Sequence, residues 1–124
     1  MEFAHGQRRR QLWRRFQRRQ PQISMTATPH LPLGIHLLAD LSGIAPERLR
    51  DGAALERLLR AAATTAGAQV LHSHFHSFGA GQGVTGVVLL AESHISIHTW
   101  PECSFAAVDI FMCGAAQPQL ALDV

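Results

Sequence analysis

At 124 residues and 47% apolar content the chain has room for one globular domain, and its net charge of +2 conceals a split. Residues 1–24 hold seven of the eleven arginines against a single acid, Glu2, whereas residues 25–124 hold four arginines and eight acids, a balance of −4. Neither lysine nor tyrosine occurs anywhere, which excludes enzymes that hold a substrate or pyridoxal as an imine on lysine and any mechanism with a tyrosine acid.

Arg8 to Arg19 interleaves Trp13 and Phe16 with arginines, a composition suited to non-specific contact with RNA phosphates or an anionic membrane surface. Few groups there can bury, so residues 1–24 are expected to be a disordered basic extension, with the domain proper over 25–124. Specific nucleic-acid binding is not expected. From Pro32 onward, Leu33–Asp40 reads as a buried strand closed by turn chemistry at Ser42-Gly43. A helix follows: Leu55, Leu58, Leu59, Ala62, Ala63 and Ala66 repeat with a helical period, Asp51 is placed to cap the start and Gly67 to end it.

Val70–Phe78 alternates as a strand, with His72, His74, His76 and Phe78 on one face. Three histidines at this spacing invite a metal, but positions i and i+4 of a strand lie roughly 13 Å apart, against metal bonds of about 2 Å, so no metal site is expected. After the Gly79–Gly83 loop, Val84–Ala91, Ile95–Thr99 and Phe105–Cys113 complete a meander. Its apolar face needs the helix as cover. The fold expected is therefore α+β, a two-layer sandwich of an antiparallel sheet with a helix on one face. Gln117–Leu122 begins a second helix and stops. Cys103 and Cys113 are too few for a disulfide framework, and with no apolar run near the roughly 20 residues of a membrane span or a secretory segment, the expected location is the cytoplasm.

The chemistry concentrates in Ala91-Glu92-Ser93-His94-Ile95-Ser96-Ile97-His98-Thr99-Trp100-Pro101-Glu102. Without lysine, a chain that does imine chemistry must make its own carbonyl. Ser93 can do so: its hydroxyl attacks the Glu92 carbonyl, turning the amide into an ester, and loss of the Ser93 α-proton expels that ester and leaves a dehydroalanine that hydrolyses to a pyruvoyl group. In a strand over 93–98, Ser93, Ile95 and Ile97 share one face and His94, Ser96 and His98 the other, so a bend or bulge at Glu92-Ser93 is needed to bring His98 to that bond.

This run, with Gly34–Asp40, Phe75-His76, Gly83–Val88, Phe105–Asp109 and Cys113-Gly114 around it, resembles the small bacterial and archaeal S-adenosylmethionine decarboxylase proenzymes over residues 33–114. The resemblance implies a self-cleaving enzyme that cuts between Glu92 and Ser93 and converts Ser93 to a covalent pyruvoyl cofactor. It would decarboxylate S-adenosylmethionine to the aminopropyl donor for spermidine. It also implies roles for the other residues: His98 removes the α-proton of Ser93, and Thr85, where several relatives have serine, steadies the acyl-shift intermediate. Cys113 returns a proton to the substrate carbon after carbon dioxide leaves, Phe78 stacks on adenine, and Glu102 accepts the ribose hydroxyls. Cys103 has no counterpart and is expected to be structural. The Gly79–Gly83 loop is one residue longer than in relatives, and family active sites lie at or near a homodimer interface, so a dimer is the implied assembly. Because Met25 precedes the first matching stretch, residues 1–24 are also readable as the product of a misplaced start. The resemblance also implies a full second helix and a further strand after Cys113-Gly114, so the chain reads as truncated at its C-terminal side. The competing readings are a pyruvoyl-dependent arginine decarboxylase and an inactive or regulatory truncated homologue.

Overall fold

A computed structural model describes residues 33–124; the basic extension read over 1–24 lies outside the described residues. Five strands form one antiparallel sheet: β1 (Gly34–Ser42), β2 (Val70–Ser77), β3 (Val84–Leu90), β4 (Ser93–Trp100) and β5 (Phe105–Cys113). Their order is β1-β5-β4-β3-β2. Strands β2 to β5 meander as the alternating runs imply. β1 instead crosses to the far edge and pairs with β5, from Gly34 opposite Cys113 to Ser42 opposite Phe105.

That position corrects the expectation of a buried strand. An edge strand has a neighbour on one side only, and here Ile35 and Leu38 remain 56% and 76% exposed while Leu37, Ala39 and Leu41 pack toward the core. The strand also runs two residues past Asp40, and the turn falls on Gly43, whose φ of 75° suits glycine.

Two helices occupy the β1–β2 connection: α1 (Pro46–Leu49), which periodicity does not reveal because it is one turn long, and α2 (Gly52–Thr65). α2 follows its sequence pattern closely. Leu55, Leu59, Ala62, Ala63 and Ala66 are buried, Asp51 Oδ1 accepts the Ala54 amide at 2.9 Å, and Gly67 takes φ 83° just past the end. A short α3 (Pro118–Leu122) forms where the second helix was expected, and the Gln117 amide ties it to the Ala66 carbonyl at 2.9 Å.

The helix layer covers Val84, Val88, Leu90, Ile95, Ile97, Ala106, Val108, Ile110 and Met112, which with the α2 residues make the core. Each Val, Leu, Ile or Met side chain moved from water to the interior contributes roughly 1.5–3 kcal/mol, so this face dictates the sheet register. Period-two alternation sends Thr85, Leu89, His94, Ser96, His98, Trp100, Asp109 and Phe111 to the opposite face, where Leu89 and Trp100 stay 46% and 41% exposed. No helix of the described residues covers that open face.

The bend or bulge expected at Glu92-Ser93 is replaced by a tighter device. β3 and β4 pair without interruption from Thr85 opposite His98 to Leu90 opposite Ser93, joined by the two-residue turn Ala91-Glu92. The sheet's register shift lies elsewhere, between Val70 and His72.

Candidate active site

At the turn end of β4, Glu92 holds φ 60°, left-handed backbone that costs a non-glycine residue on the order of 1–2 kcal/mol. The peptide bond that follows it is the one expected to break. Ser93 is half-buried at the first position of β4, and its Oγ accepts a hydrogen bond from the Cys113 amide at 3.0 Å. Cys113, the last residue of β5, is a half-buried free thiol. Gly34 faces it across the β1–β5 ladder, where a Cβ would stand 3.0 Å from Cys113 Sγ and 2.5 Å from the Phe111 ring. Glycine there keeps space around the thiol.

At the other end of the same hairpin, Thr85 Oγ1 and His98 Nδ1 form a 2.6 Å hydrogen bond across the β3–β4 ladder. The pair borders a cleft of about 490 Å³ lined by Phe78, Gln82, Gly83, Val84, Thr85, His98, Thr99, Trp100 and Glu102. Phe78 follows β2, its amide bonded to the Gly83 carbonyl at 3.1 Å and its ring edge-on to His76 at 4.9 Å. Glu102 sits in the 3-10 turn Pro101–Cys103, which Ser104 ends with φ 50°.

The floor of the cleft is fixed by buried Thr99, whose hydroxyl accepts the Val84 amide at 2.8 Å and donates to the Leu49 carbonyl of α1 at 2.6 Å. Gly83 lies so close behind it that a Cβ would fall 2.0 Å from the Thr99 carbonyl oxygen. Backbone cannot move aside as a side chain can. Gly83→Ala is therefore expected to destabilise the fold by about 1–3 kcal/mol or more and to displace Phe78, which thermal melts and ligand titration would register together.

The structure thus joins Ser93 with Cys113, and Thr85 with His98, Phe78 and Glu102, but keeps the two groups apart. Ser93 and His98 are five residues along one strand, about 17 Å. Trp100, to which the sequence reading gave no role, shares the cleft wall, its ring 6.4 Å from that of His98 and 5.6 Å from Phe105; its place two residues beyond His98 on one strand face was the available signal. A second group was missed outright. His36, His94 and Asp109, from three adjacent strands, bring their ligand atoms within 4.8 Å of one another, a cluster that depends on β1 pairing with β5. His72, His74 and His76 are exposed on β2.

Comparison with known proteins places this geometry in context. The family model described as S-adenosylmethionine decarboxylase matches residues 35–124. An S-adenosylmethionine decarboxylase proenzyme of Persephonella marina is 48% identical over 85 residues, covering 68% of this chain and 63% of that protein. One of Parasynechococcus marenigrum is 54% identical over 82 residues, covering 66% and 63%. The chain thus spans less than two thirds of the length of these curated relatives. The crystal structure of an adenosylmethionine decarboxylase from Aquifex aeolicus superposes with a TM-score of 0.63 at 43% identity, covering 73% of this chain and 72% of that one.

Proposed function

This chain belongs to the S-adenosylmethionine decarboxylase family, and we propose that it is a self-processing, pyruvoyl-dependent decarboxylase of S-adenosylmethionine. Its product would be the aminopropyl donor for spermidine, and the cytoplasm its place of action. Among the described residues no helix is long and apolar enough to cross a membrane.

The observation that carries the reading is Ser93 at the exit of a two-residue turn, its hydroxyl held by the Cys113 amide. Oγ attacks the Glu92 carbonyl carbon, the amide nitrogen leaves as the free amine of residue 93, and an ester replaces the amide. Removal of the α-proton of residue 93 then breaks the Cβ–Oγ bond. Glu92 departs as a carboxylate that keeps Oγ, and water replaces the resulting imine nitrogen, released as ammonia, to give the ketone. The residues present fit such a group: the Cys113 amide reaches the residue 93 side chain, and no side chain projects from Gly34 to crowd the thiol of that same cysteine. When formed, the pyruvoyl group supplies a carbonyl that takes up the substrate amine and draws electrons from the bond to the carboxylate. Cys113 delivers a proton to the carbon that loses carbon dioxide.

His98 is well suited to proton removal, with Thr85 fixing its ring. It is too far along its own strand to serve its own Ser93. A second copy, packed antiparallel over the open face, would set the Ser93–Cys113 end of one chain against the Thr85–His98 end of the other, giving two composite sites per dimer. The exposed Leu38, Leu89 and Trp100 on that face favour such a partner.

The cleft favours S-adenosylmethionine over arginine. Its volume suits an adenosine-sized ligand, Phe78 and Trp100 offer flat faces to a purine and a sulfonium, and Glu102 offers two oxygens to a ribose diol. Carbon dioxide release from carboxyl-labelled S-adenosylmethionine is expected to exceed release from labelled arginine by orders of magnitude. Phe78→Ala is expected to raise KM roughly 5- to 150-fold, the equivalent of one lost base-stacking contact of about 1–3 kcal/mol. Turnover of arginine alone would overturn the substrate assignment and leave the pyruvoyl chemistry standing.

A further inference from the structure

The cut proposed between Glu92 and Ser93 opens the β3–β4 hairpin at its turn, so residue 93 becomes a chain end just when it must be held most accurately. Oγ leaves with Glu92, and with it goes the hydrogen bond from the Cys113 amide. Strand ends without such ties fray. Between residue 93 and Ile95, the first fully buried position of β4, stands only His94.

His94 is engaged across the sheet. Its Nε2 lies 3.5 Å from Asp109 Oδ2, while Asp109 Oδ1 lies 2.5 Å from His36 Nε2. The carboxylate on β5 thereby links β4 to β1. Phe111, which pairs with both histidines in the ladder, packs its ring 5.3 Å from His36 and 5.9 Å from His94. Asp109 Oδ1 is buried and lacks an aligned hydrogen-bond donor of its own, so the imidazole beside it offsets the desolvation of that oxygen. Direct contact fits these distances better than a shared metal: two ligands of a tetrahedral ion with bonds near 2.1 Å stand about 3.4 Å apart, not 2.5 Å.

We propose that Asp109 and His36 are positioning residues that hold His94, and through it the newly cut end at residue 93, in reacting geometry. This rests on the self-processing reading above. Neither residue is needed for the cut itself, because the intact turn still holds Ser93 at that stage.

The test uses the full chain carrying Asp109→Asn or, as a second variant, His36→Gln. Both are expected to cleave as completely as wild type by intact mass, to keep KM for S-adenosylmethionine within about twofold, and to lose roughly 10- to 100-fold in kcat, as small misplacements of a reacting group do. Asp109→Glu, which keeps the carboxylate, is expected to recover most of the loss. Amides of residues 94–97 should exchange faster with deuterium in the cleaved variants, yet at the wild-type rate when Ser93→Ala is added to prevent cutting. Wild-type kcat in both cleaved variants would overturn the proposal alone, as would equal loosening in the uncut background, or a stoichiometric divalent metal in wild type that His36→Gln removes. A wild-type chain that never cleaves would overturn the self-processing reading and this proposal with it.

Discussion

Denatured after purification, the wild-type chain is expected to separate into two species divided between Glu92 and Ser93, whereas Ser93→Ala is expected to stay whole and to release no carbon dioxide from S-adenosylmethionine. The effect should be total because no other residue can stand in: the chain has no lysine to form an imine, and Cys113, whose amide bonds Ser93, has its carbon skeleton on another strand. Local geometry favours the reaction. Glu92 is held at φ 60° by the two-residue turn, and breaking the peptide C–N bond that follows it frees backbone that costs on the order of 1–2 kcal/mol to hold. Intact mass of the denatured protein decides the matter. A wild type that remained one chain after prolonged incubation would sink the processing reaction and every step built on it.

Periodicity made α2 and strands β2 to β5 legible, because each buries one face against the other and the apolar residues must recur at 3.6 or 2. β1 was misread for the same reason. Within Leu33–Asp40, Ile35, Leu37, Leu38 and Ala39 look like the apolar run of a buried strand, but which neighbours a strand has is settled by where its connection lands, and α1 and α2 fill the connection before β2 begins. The site divides similarly. Ser93, Cys113, His98, Glu102 and Phe78 were visible as a motif, and Thr85 at a spacing of thirteen residues from His98 does face it. What a linear pattern did not convey is that a two-residue turn, rather than a bulge, joins β3 to β4, and that this sends Ser93 and His98 to opposite ends of the hairpin. The His36–Asp109–His94 link was invisible for want of the β1–β5 pairing.

That separation yields the sharpest test of how the site is assembled. His98→Ala alone is expected to undergo the acyl shift and stall, so that hydroxylamine, which cleaves esters, cuts it at residues 92–93 while the untreated variant stays whole. Ser93→Ala alone cannot begin. Mixed as a refolded or co-expressed pair, the two dead chains are expected to regain cleavage of the His98→Ala chain and a substantial share of decarboxylase activity. The reason is geometric: in a composite site the Ser93 and Cys113 of one chain meet the Thr85 and His98 of the other, so a mixed dimer contains one site with every group intact and one lacking both. Within a single chain the approximately 17 Å between residues 93 and 98 is several times the reach of an imidazole proton transfer, which needs about 3 Å or one bridging water. A tagged Ser93→Ala chain would let the mixed species be isolated and the mass of each chain read separately. If the His98→Ala chain stayed uncut in verified mixed dimers, His98 would have to act on its own Ser93 through a rearranged hairpin, and the antiparallel packing of two open sheet faces would be wrong.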